Sequence, residues 1–450
     1  MSLRAEIRDI GIFGGQIALS EVILFSIFLT DILMLGLIGE LSLSAALLIN
    51  STFVLCFVTA LGFLQGSLPL ASAQWEQGDQ IGYRQTVTGS LLLAAGIALL
   101  FALIFLAYVP ILRALNYPAD LIDEVWRYLL FILPGFAFTP VYITIRNAII
   151  ATGDSSGFMA LSLIALVLNA ALNYVLGFGL ETPFGSFTGM GIAGIGLSSS
   201  VIELSLSAGF GHILLRKGIK ICLPGRAQIK DILKKLTLLG IPIGVIFFVD
   251  STLFSGVIII VGRHDIPGMA AMALIFEWVA LAVMIPVGFS EAIVQRVAMI
   301  KSGPDAPRQI PILIKAVVIM TGLYLAFLAL IQFGLGLNPP EFFIIDHAAH
   351  PGLVQLLRDF ALLGFAVAAM NAFIIMIAGI LRGMLDVMTS MYAIMLCYWG
   401  VGIGLTFVFM EFMGLGTWYA FIALVAGTAL ATLVISFRLY WLSRRFSTVH

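Results

Sequence analysis

Acidic residues interrupt the long apolar stretches of this sequence, and the candidates among them are Glu21, Asp31, Glu203, Asp250 and Glu277. An ionisable group at membrane depth costs at least ~2.5 kcal/mol, so each position is a candidate for a functional role. The pattern places no Lys, Arg or His at the same depth, and it therefore predicts no internal ion pair. A carboxylate without a cationic partner in such surroundings binds a proton or a metal cation. This is the chemistry that a cation-coupled carrier requires.

Two asparagines extend this set. Asn169 and Asn173 lie four residues apart in an apolar segment, so a helix would place them on one face. Buried amides either offer carbonyl oxygens to a cation or cross-link neighbouring helices. The acids also have a structural alternative, since each could meet water at the end of a span or hydrogen-bond a neighbouring helix. The residues alone leave both alternatives open.

The elements that position these residues follow from the composition. The chain has 450 residues, of which 61% are hydrophobic and 10% charged, with a mean hydropathy of +1.11. Soluble domains carry roughly 25% charged residues. Continuous apolar stretches of ~20 residues can each cross ~30 Å of hydrocarbon as a helix, and alternating strand patterns are lacking. The sequence predicts an all-α integral membrane protein.

Hydropathy predicts twelve transmembrane helices, near residues 10–38, 43–74, 86–113, 122–150, 157–179, 188–215, 237–262, 266–300, 311–335, 352–382, 388–410 and 413–442. A basic segment in the middle divides them into six and six. We predict an amino-terminal lobe at 1–215, a cytoplasmic basic linker at 216–236 and a carboxyl-terminal lobe at 237–450. No phosphate-binding G-x-x-x-x-G-K-[ST] loop is present, which excludes an ATP-driven pump with its own nucleotide site.

Basic residues predict the orientation. With these spans, the 23 Lys and Arg fall on one side of the membrane except Arg113, Arg127, Arg263 and Arg358. Basic loops stay cytoplasmic. We therefore expect both termini and the central loop to be cytoplasmic, in a multi-pass protein of the cell inner membrane.

Weak internal similarity indicates a duplication. Asp250 follows Asp31 by 219 residues, and Asp386 follows Asp154 by 232 residues at the end of a similar motif. Six spans per half give both halves the same orientation. The two six-helix lobes are therefore predicted to be related by a pseudo-two-fold axis along the membrane normal.

Several motifs occur along the whole chain in the order typical of one family. Through these motifs taken together, the sequence resembles the multidrug and toxic compound extrusion (MATE) transporters. The motifs are Asp31 followed by Gly36 and Gly39, Arg146–Gly153 (RNAIIATG), Leu168–Tyr174 (LNAALNY), Gly240–Pro242 followed by Asp250, and Ala378–Gly383 (AGILRG). Each motif alone is weak.

The resemblance implies an exporter that expels organic cations or other amphipathic compounds in exchange for Na⁺ or H⁺, as in the bacterial Na⁺- or H⁺-coupled branch of the family. By position, Asp31, Asn169 and Asn173 match the cation site of the amino-terminal lobe. Asp250 matches the carboxylate of the seventh span, which is usually a glutamate.

One departure from that branch concerns the carboxyl-terminal lobe. Asn371 stands where the branch has an acid in the tenth span, which puts a second cation site in doubt. Glu277 in the eighth span is a predicted substitute. Asn371 itself, Glu21 and Glu203 complete the residues predicted to contact the cation or the substrate.

We therefore predict a cation-coupled antiporter that works by alternating access, with Asp31 as the principal coupling acid. The alternatives are a dedicated exporter of an endogenous metabolite and a lipid-linked saccharide flippase of the same superfamily. Flippases tend to carry basic residues where they meet a pyrophosphate, whereas the intramembrane charges here are acidic. A pore is disfavoured because pores are usually built by subunit symmetry.

We expect no enzymatic activity and no catalytic residue, because the histidines lie at or beyond the ends of the predicted spans. No cofactor and no metal site are expected, apart from the transported Na⁺ or H⁺; His347 and His350 lack further ligands in the pattern. The expected partners are a small amphipathic or cationic substrate and the lipid bilayer. No nucleic-acid partner is expected, and the protein is expected to be a monomer.

Overall fold

The computed structural model describes residues 2–182, 185–219, 225–336, 338–344, 347 and 350–447. In these residues, twelve helices are long and apolar enough to cross a membrane. The chain divides into two compact units. The amino-terminal unit is Leu19–Gly244, and the carboxyl-terminal unit combines Met1–Ala18 with Val245–His450. The boundaries between them fall inside the first and the seventh helices.

We number the spans α1 to α12. Those that begin before residue 217 are α1 (Leu3–Ile38), α2 (Glu40–Glu76), α3 (Gln80–Ala114), α4 (Ala119–Ala151), α5 (Phe158–Phe178) and α6 (Ile192–Arg216). Those of the second half are α7 (Arg226–Gly262), α8 (Ile266–Lys301), α9 (Ala306–Gly334), α10 (Ala361–Gly383), α11 (Val387–Phe412) and α12 (Thr417–Ser447).

Irregular segments interrupt several spans. Helix α2 consists of Glu40–Gln65 and Ser67–Glu76, separated at Gly66. Helix α5 ends in a π-helical segment, Asn173–Phe178, and α11 contains the π-helical segment Leu396–Ile403. Such wide turns are frequent at functional sites. Both segments lie in the fifth helix of their half of the chain.

Short elements connect some of the spans. Strand β1 (Gly179–Thr182) pairs antiparallel with β2 (Gly185–Thr188) in a hairpin after α5. A 3-10 turn, Pro339–Phe343, and a short helix, Pro351–Asp359, precede α10.

Each unit has its own apolar core. Phe105, Phe136 and Ile195 belong to the core of the amino-terminal unit, and Leu253 and Phe421 to that of the carboxyl-terminal unit. Large apolar side chains also point outward. In water such side chains would have to be buried, whereas the hydrocarbon of a membrane solvates them. The predicted all-α membrane fold class is confirmed.

Several helix boundaries differ from the sequence prediction, and the largest differences are at the starts of two helices. Helix α7 begins at Arg226, inside the segment predicted as a linker, because charged residues such as Lys230 and Lys234 lower hydropathy but favour helix. The predicted tenth span, 352–382, is divided near Phe360, where the amphipathic helix Pro351–Asp359 ends and α10 begins. The division into lobes at 216–236 stays a prediction.

Matching ion pairs follow the fourth helix of each half. After α4, Asp154 pairs with Lys217, and after α10, Asp386 pairs with Arg438 at 2.6 Å. Burial alone would raise the pKa of Asp154, but hydrogen bonds from Lys217 and Ser156 outweigh it and hold the pKa below its ordinary value. The equivalent pairs agree with the duplication that the sequence predicts.

Candidate ion-coupling site

Asp31 is the centre of a hydrogen-bonded cluster in the amino-terminal unit. Its Oδ1 accepts hydrogen bonds from Asn169 Nδ2 at 2.9 Å and from Asn173 Nδ2 at 2.6 Å. Its Oδ2 accepts one from the Ser199 hydroxyl at 2.9 Å. The Asp31 side chain is 8% exposed, and both asparagines are fully buried. The structure therefore brings together the three residues predicted for this site and adds a fourth.

The packing of α4 against α6 brings Ser199 to Asp31. Pro134 has no N–H to donate inside α4. One turn of α4 is then completed by Ser200, whose hydroxyl donates to Phe131 O at 2.5 Å and accepts from Gly135 N at 2.9 Å. A Cβ on Gly135 would lie 2.8 Å from Ser200 Cα, so this approach requires glycine. Ser199, the preceding residue, points to Asp31.

A second close approach fixes the two asparagines. A Cβ on Gly194 of α6 would lie 2.1 Å from Leu176 O, so the π-helical end of α5 packs directly on the α6 backbone. Asn173 opens that π-helical segment. Its Nδ2 also donates to Asn169 Oδ1 at 3.3 Å, while its own Oδ1 is buried and accepts no hydrogen bond from any described residue.

More polar groups line α4 and α6 near this cluster. Tyr128, 1% exposed, interacts electrostatically with Asp31 and hydrogen-bonds to Asn50 of α2. Glu203 lies one turn after Ser199 on α6 and also interacts electrostatically with Asp31. The Thr139 hydroxyl lies between Gly135 O, at 3.3 Å, and the Glu203 carboxylate.

Glu21 has a cationic partner, which corrects the prediction that the intramembrane acids have none. Its carboxylate forms an ion pair with Arg146 of α4, whose side chain is 2% exposed. The Arg146 guanidinium also lies 5.7 Å from the centre of the Phe158 ring. Hydropathy missed the pair because it places Arg146 near the end of a span and says nothing of where the long side chain points.

The carboxyl-terminal unit holds the remaining predicted residues. Tyr398, in the π-helical segment of α11, donates from its hydroxyl to Asn371 Oδ1 at 3.1 Å, and it interacts electrostatically with Asp250. Asn371 is 3% exposed. Glu277 is exposed on α8, and in the part of the chain that the structure describes no hydrogen bond or ion pair joins it to Asn371 or Asp250. The role predicted for Glu277 therefore stays a prediction.

The Asp31 cluster can bind either a proton or a small cation. Three donors stabilise the ionised carboxylate, and a bound proton would displace at least one of them. A metal cation would use the Asp31 oxygens together with the free Asn173 Oδ1, because hard cations prefer carboxylate and carbonyl oxygens.

Known proteins resemble the chain over its whole length. The MatE family model matches residues 17–175. The probable multidrug resistance protein NorM of Rhizobium meliloti is 26% identical, over 93% of this chain and 90% of that protein. The multidrug resistance protein PmpM of Pseudomonas aeruginosa is also 26% identical, over 100% of this chain and 94% of that protein.

The solved structure of the eukaryotic MATE transporter AtDTX14 covers 99% of both chains with a TM-score of 0.86 at 14% identity. The resemblance to the MATE family is confirmed. The all-α fold with twelve spans is thus that of the MATE transporters.

Within this MATE fold, sequence reasoning overlooked three residues that complete the amino-terminal site. Ser199 lies in a run of three serines, Ser198–Ser200, inside an apolar helix, and that run was a readable signal. Tyr128 and Thr139 gave no such signal, because tyrosine and threonine are common in ordinary helix packing. Their role depends on α4 facing α1 and α6.

Proposed function

We propose that this chain is a cation-coupled antiporter that exports organic cations or other amphipathic compounds by alternating access. The observation that carries the proposal is the Asp31 carboxylate, which accepts hydrogen bonds from Asn169, Asn173 and Ser199 inside an apolar bundle. In the described residues, no Lys, Arg or His side chain pairs with it. Asp31 is the principal coupling acid in this proposal.

Coupling follows from differential binding. A cation that binds at Asp31 in one state of the carrier more tightly than in the other shifts the equilibrium between them. The substrate must favour the opposite state. One charge that crosses ~100 mV contributes ~2.3 kcal/mol, so one or two cations suffice to drive a substantial substrate gradient.

The names of the relatives support the proposed substrate class, since NorM and PmpM are called multidrug resistance proteins. The charges inside each unit support it as well. Arg146 is paired with Glu21, and Arg382 donates to Ser290 at 2.7 Å and interacts with Glu291. Because both arginines already bind other side chains, they are less available to bind a pyrophosphate than the basic residues of a flippase cavity would be.

The proposal includes a cellular location and an oligomeric state. The chain is a multi-pass membrane protein, and we place it in the cell inner membrane with both termini cytoplasmic because basic residues concentrate on one side. It works as a monomer surrounded by lipid and has neither catalytic residues nor a resident cofactor or metal. The coupling ion is Na⁺ or H⁺, which is cargo.

The experiment is dye efflux from cells that lack their main pumps, at matched expression in the membrane. The parent is compared with Asp31→Asn, Asp250→Asn and the matched control Asp120→Asn, an exposed acid of the amino-terminal unit. We expect the parent and the control to export an organic cation at equal rates. Asp31→Asn should reduce the rate at least tenfold.

Two other results would change the conclusion. Loss of efflux in Asp250→Asn with full activity in Asp31→Asn would move the coupling site to the carboxyl-terminal unit. If the parent moves no dye under an imposed Na⁺ or H⁺ gradient, multidrug export fails, and a dedicated metabolite exporter or a lipid-linked saccharide flippase becomes the better hypothesis.

A further inference from the structure

Glu203 is an acid inside the amino-terminal unit that the cluster around Asp31 does not use. Its Oε2 is buried and accepts no hydrogen bond from any described residue. Thr139 is the hydrogen-bonding neighbour of the carboxylate. A buried carboxylate oxygen without a donor is costly, and each such atom requires an explanation.

A second observation points to a ligand in the same place. Asn173 is fully buried, and its Oδ1 also lacks a donor, although its Nδ2 is bonded to Asp31. Two acceptor oxygens near one carboxylate therefore lack hydrogens, while the donors in the cluster are all engaged. A mobile proton or cation satisfies such a group, whereas ordinary helix cross-linking would not leave both acceptors free.

The charged neighbours of Glu203 are few. From α1 it faces Asp31, with which it interacts electrostatically, and from α4 it faces Thr139. Tyr128 of α4 lies nearer to Asp31. Arg146 is two turns beyond Thr139 on α4 and is engaged by Glu21. No described basic side chain forms an ion pair with Glu203.

The rise along α1, α4 and α6 gives the relative depth of these residues in the helix bundle. Ser199, which binds Asp31, and Glu203 are four residues apart on α6, or ~6 Å along the axis. Thr139 and Arg146 are seven residues apart on α4, or ~10 Å, and together these steps match the ~15 Å between Asp31 and Glu21 on α1. Glu203 therefore lies between the Asp31 level and the Glu21–Arg146 level.

We propose that Glu203 is a second proton-binding group of this carrier, which accepts the coupling proton when it leaves Asp31. The proton leaves an Asp31 oxygen and binds Glu203 Oε2, so Asp31 becomes a carboxylate and Glu203 a neutral acid. The inference rests on the proposed coupling role of Asp31 and deepens it. It commits the coupling ion to H⁺, because a carboxylate with one hydroxyl neighbour can bind a proton without further ligands.

The test separates proton-driven transport from substrate exchange in proteoliposomes. Exchange of labelled for unlabelled organic cation needs no net proton release, whereas net transport driven by a pH gradient does. We expect Glu203→Gln to reduce proton-driven transport at least tenfold in Na⁺-free buffer and to leave exchange within twofold of the parent. The matched control is Glu124→Gln, since Glu124 accepts from Ser42 at 2.5 Å in the same unit and takes no part in the cluster.

Each remaining outcome decides between the two proposals. If Asp31→Asn abolishes proton-driven transport and Glu203→Gln does not, the relay is overturned and the coupling role of Asp31 stands. Equal loss of exchange and net transport in Glu203→Gln would indicate a structural role and also overturn the relay. So would a parent that is driven by Na⁺ but not by H⁺. A parent driven by neither ion would overturn the proposed function itself.

A folding defect in Glu203→Gln would not prevent the test. Glu203→Asp keeps the carboxylate and shortens the side chain by one methylene. We expect it to retain proton-driven transport with a displaced pH optimum and unchanged exchange. An unchanged pH optimum with parental rates would contradict the relay.

Discussion

Replacing Arg146 by methionine should destabilise the amino-terminal unit strongly, because Arg146 is one partner of a buried ion pair. The substitution keeps an apolar stem but removes the guanidinium that pairs with Glu21, whose side chain is only 17% exposed. Removal of one partner from a buried ion pair costs about 3–5 kcal/mol, because the other charge remains uncompensated. The contact of Arg146 with the Phe158 ring adds to the loss.

The assay is the free energy of unfolding, measured by equilibrium titration with a denaturing detergent. A loss of about 3–5 kcal/mol corresponds to a shift of the unfolding constant by a factor of about one hundred to a few thousand, since about 1.4 kcal/mol is tenfold. The double variant Glu21→Gln/Arg146→Met should recover at least about 2 kcal/mol, because no unpaired charge remains. Arg113→Met, at an exposed position of the same unit, is the matched control.

Two results would refute this reasoning. The first is an Arg146→Met variant no less stable than Arg113→Met. The second is strict additivity of Glu21→Gln and Arg146→Met, since residues that pair directly must show a coupling energy.

Further predictions concern packing, the carboxyl-terminal unit and pH. Gly135→Ala should lower the free energy of unfolding by about 1–3 kcal/mol, because its Cβ would lie 2.8 Å from the α6 backbone. Tyr398→Phe should lower the free energy of unfolding by about 1–3 kcal/mol, because it leaves the buried Asn371 Oδ1 without its hydrogen-bond donor. Asp154→Asn should lower stability at neutral pH. Because Lys217 holds the pKa of Asp154 below its ordinary 3.8, that contribution is complete above this value and is lost as pH falls through the lower folded pKa.

Controls for these variants exist in the chain. Gly96→Ala has open space around its Cβ and should be neutral or stabilising, and Tyr392→Phe changes an exposed tyrosine. Equal effects of Gly135→Ala and Gly96→Ala on stability would contradict the packing argument. Equal effects of Tyr398→Phe and Tyr392→Phe would contradict the hydrogen-bond argument. A stability difference between Asp154→Asn and the parent that persists unchanged below pH 3 would contradict the pH argument.

Much of the fold was readable from the sequence. Twelve spans were predicted and twelve are found in the described residues, because the cost of exposing backbone to lipid leaves a long apolar segment no other structure. The starts of α7 and α10 were misjudged. Hydropathy records where a helix enters lipid, and Arg226 begins its helix before that point.

The sequence by itself determined which residue types could act at the site. Asp31 stood out because an acid inside lipid is costly, and Asn169 and Asn173 because they share one face of one helix. These arguments need only the periodicity of a helix and the free energy of transfer.

Only the tertiary structure decided which helices face each other. Ser199 completes the shell of Asp31 because Gly135 lets α6 approach α4, and Arg146 reaches Glu21 because α1 and α4 are neighbours. Sequence separation carries no information about such contacts, which arise from packing between helices far apart in the chain. Hence the chemistry of the acids was predictable, whereas the partner of each acid was not.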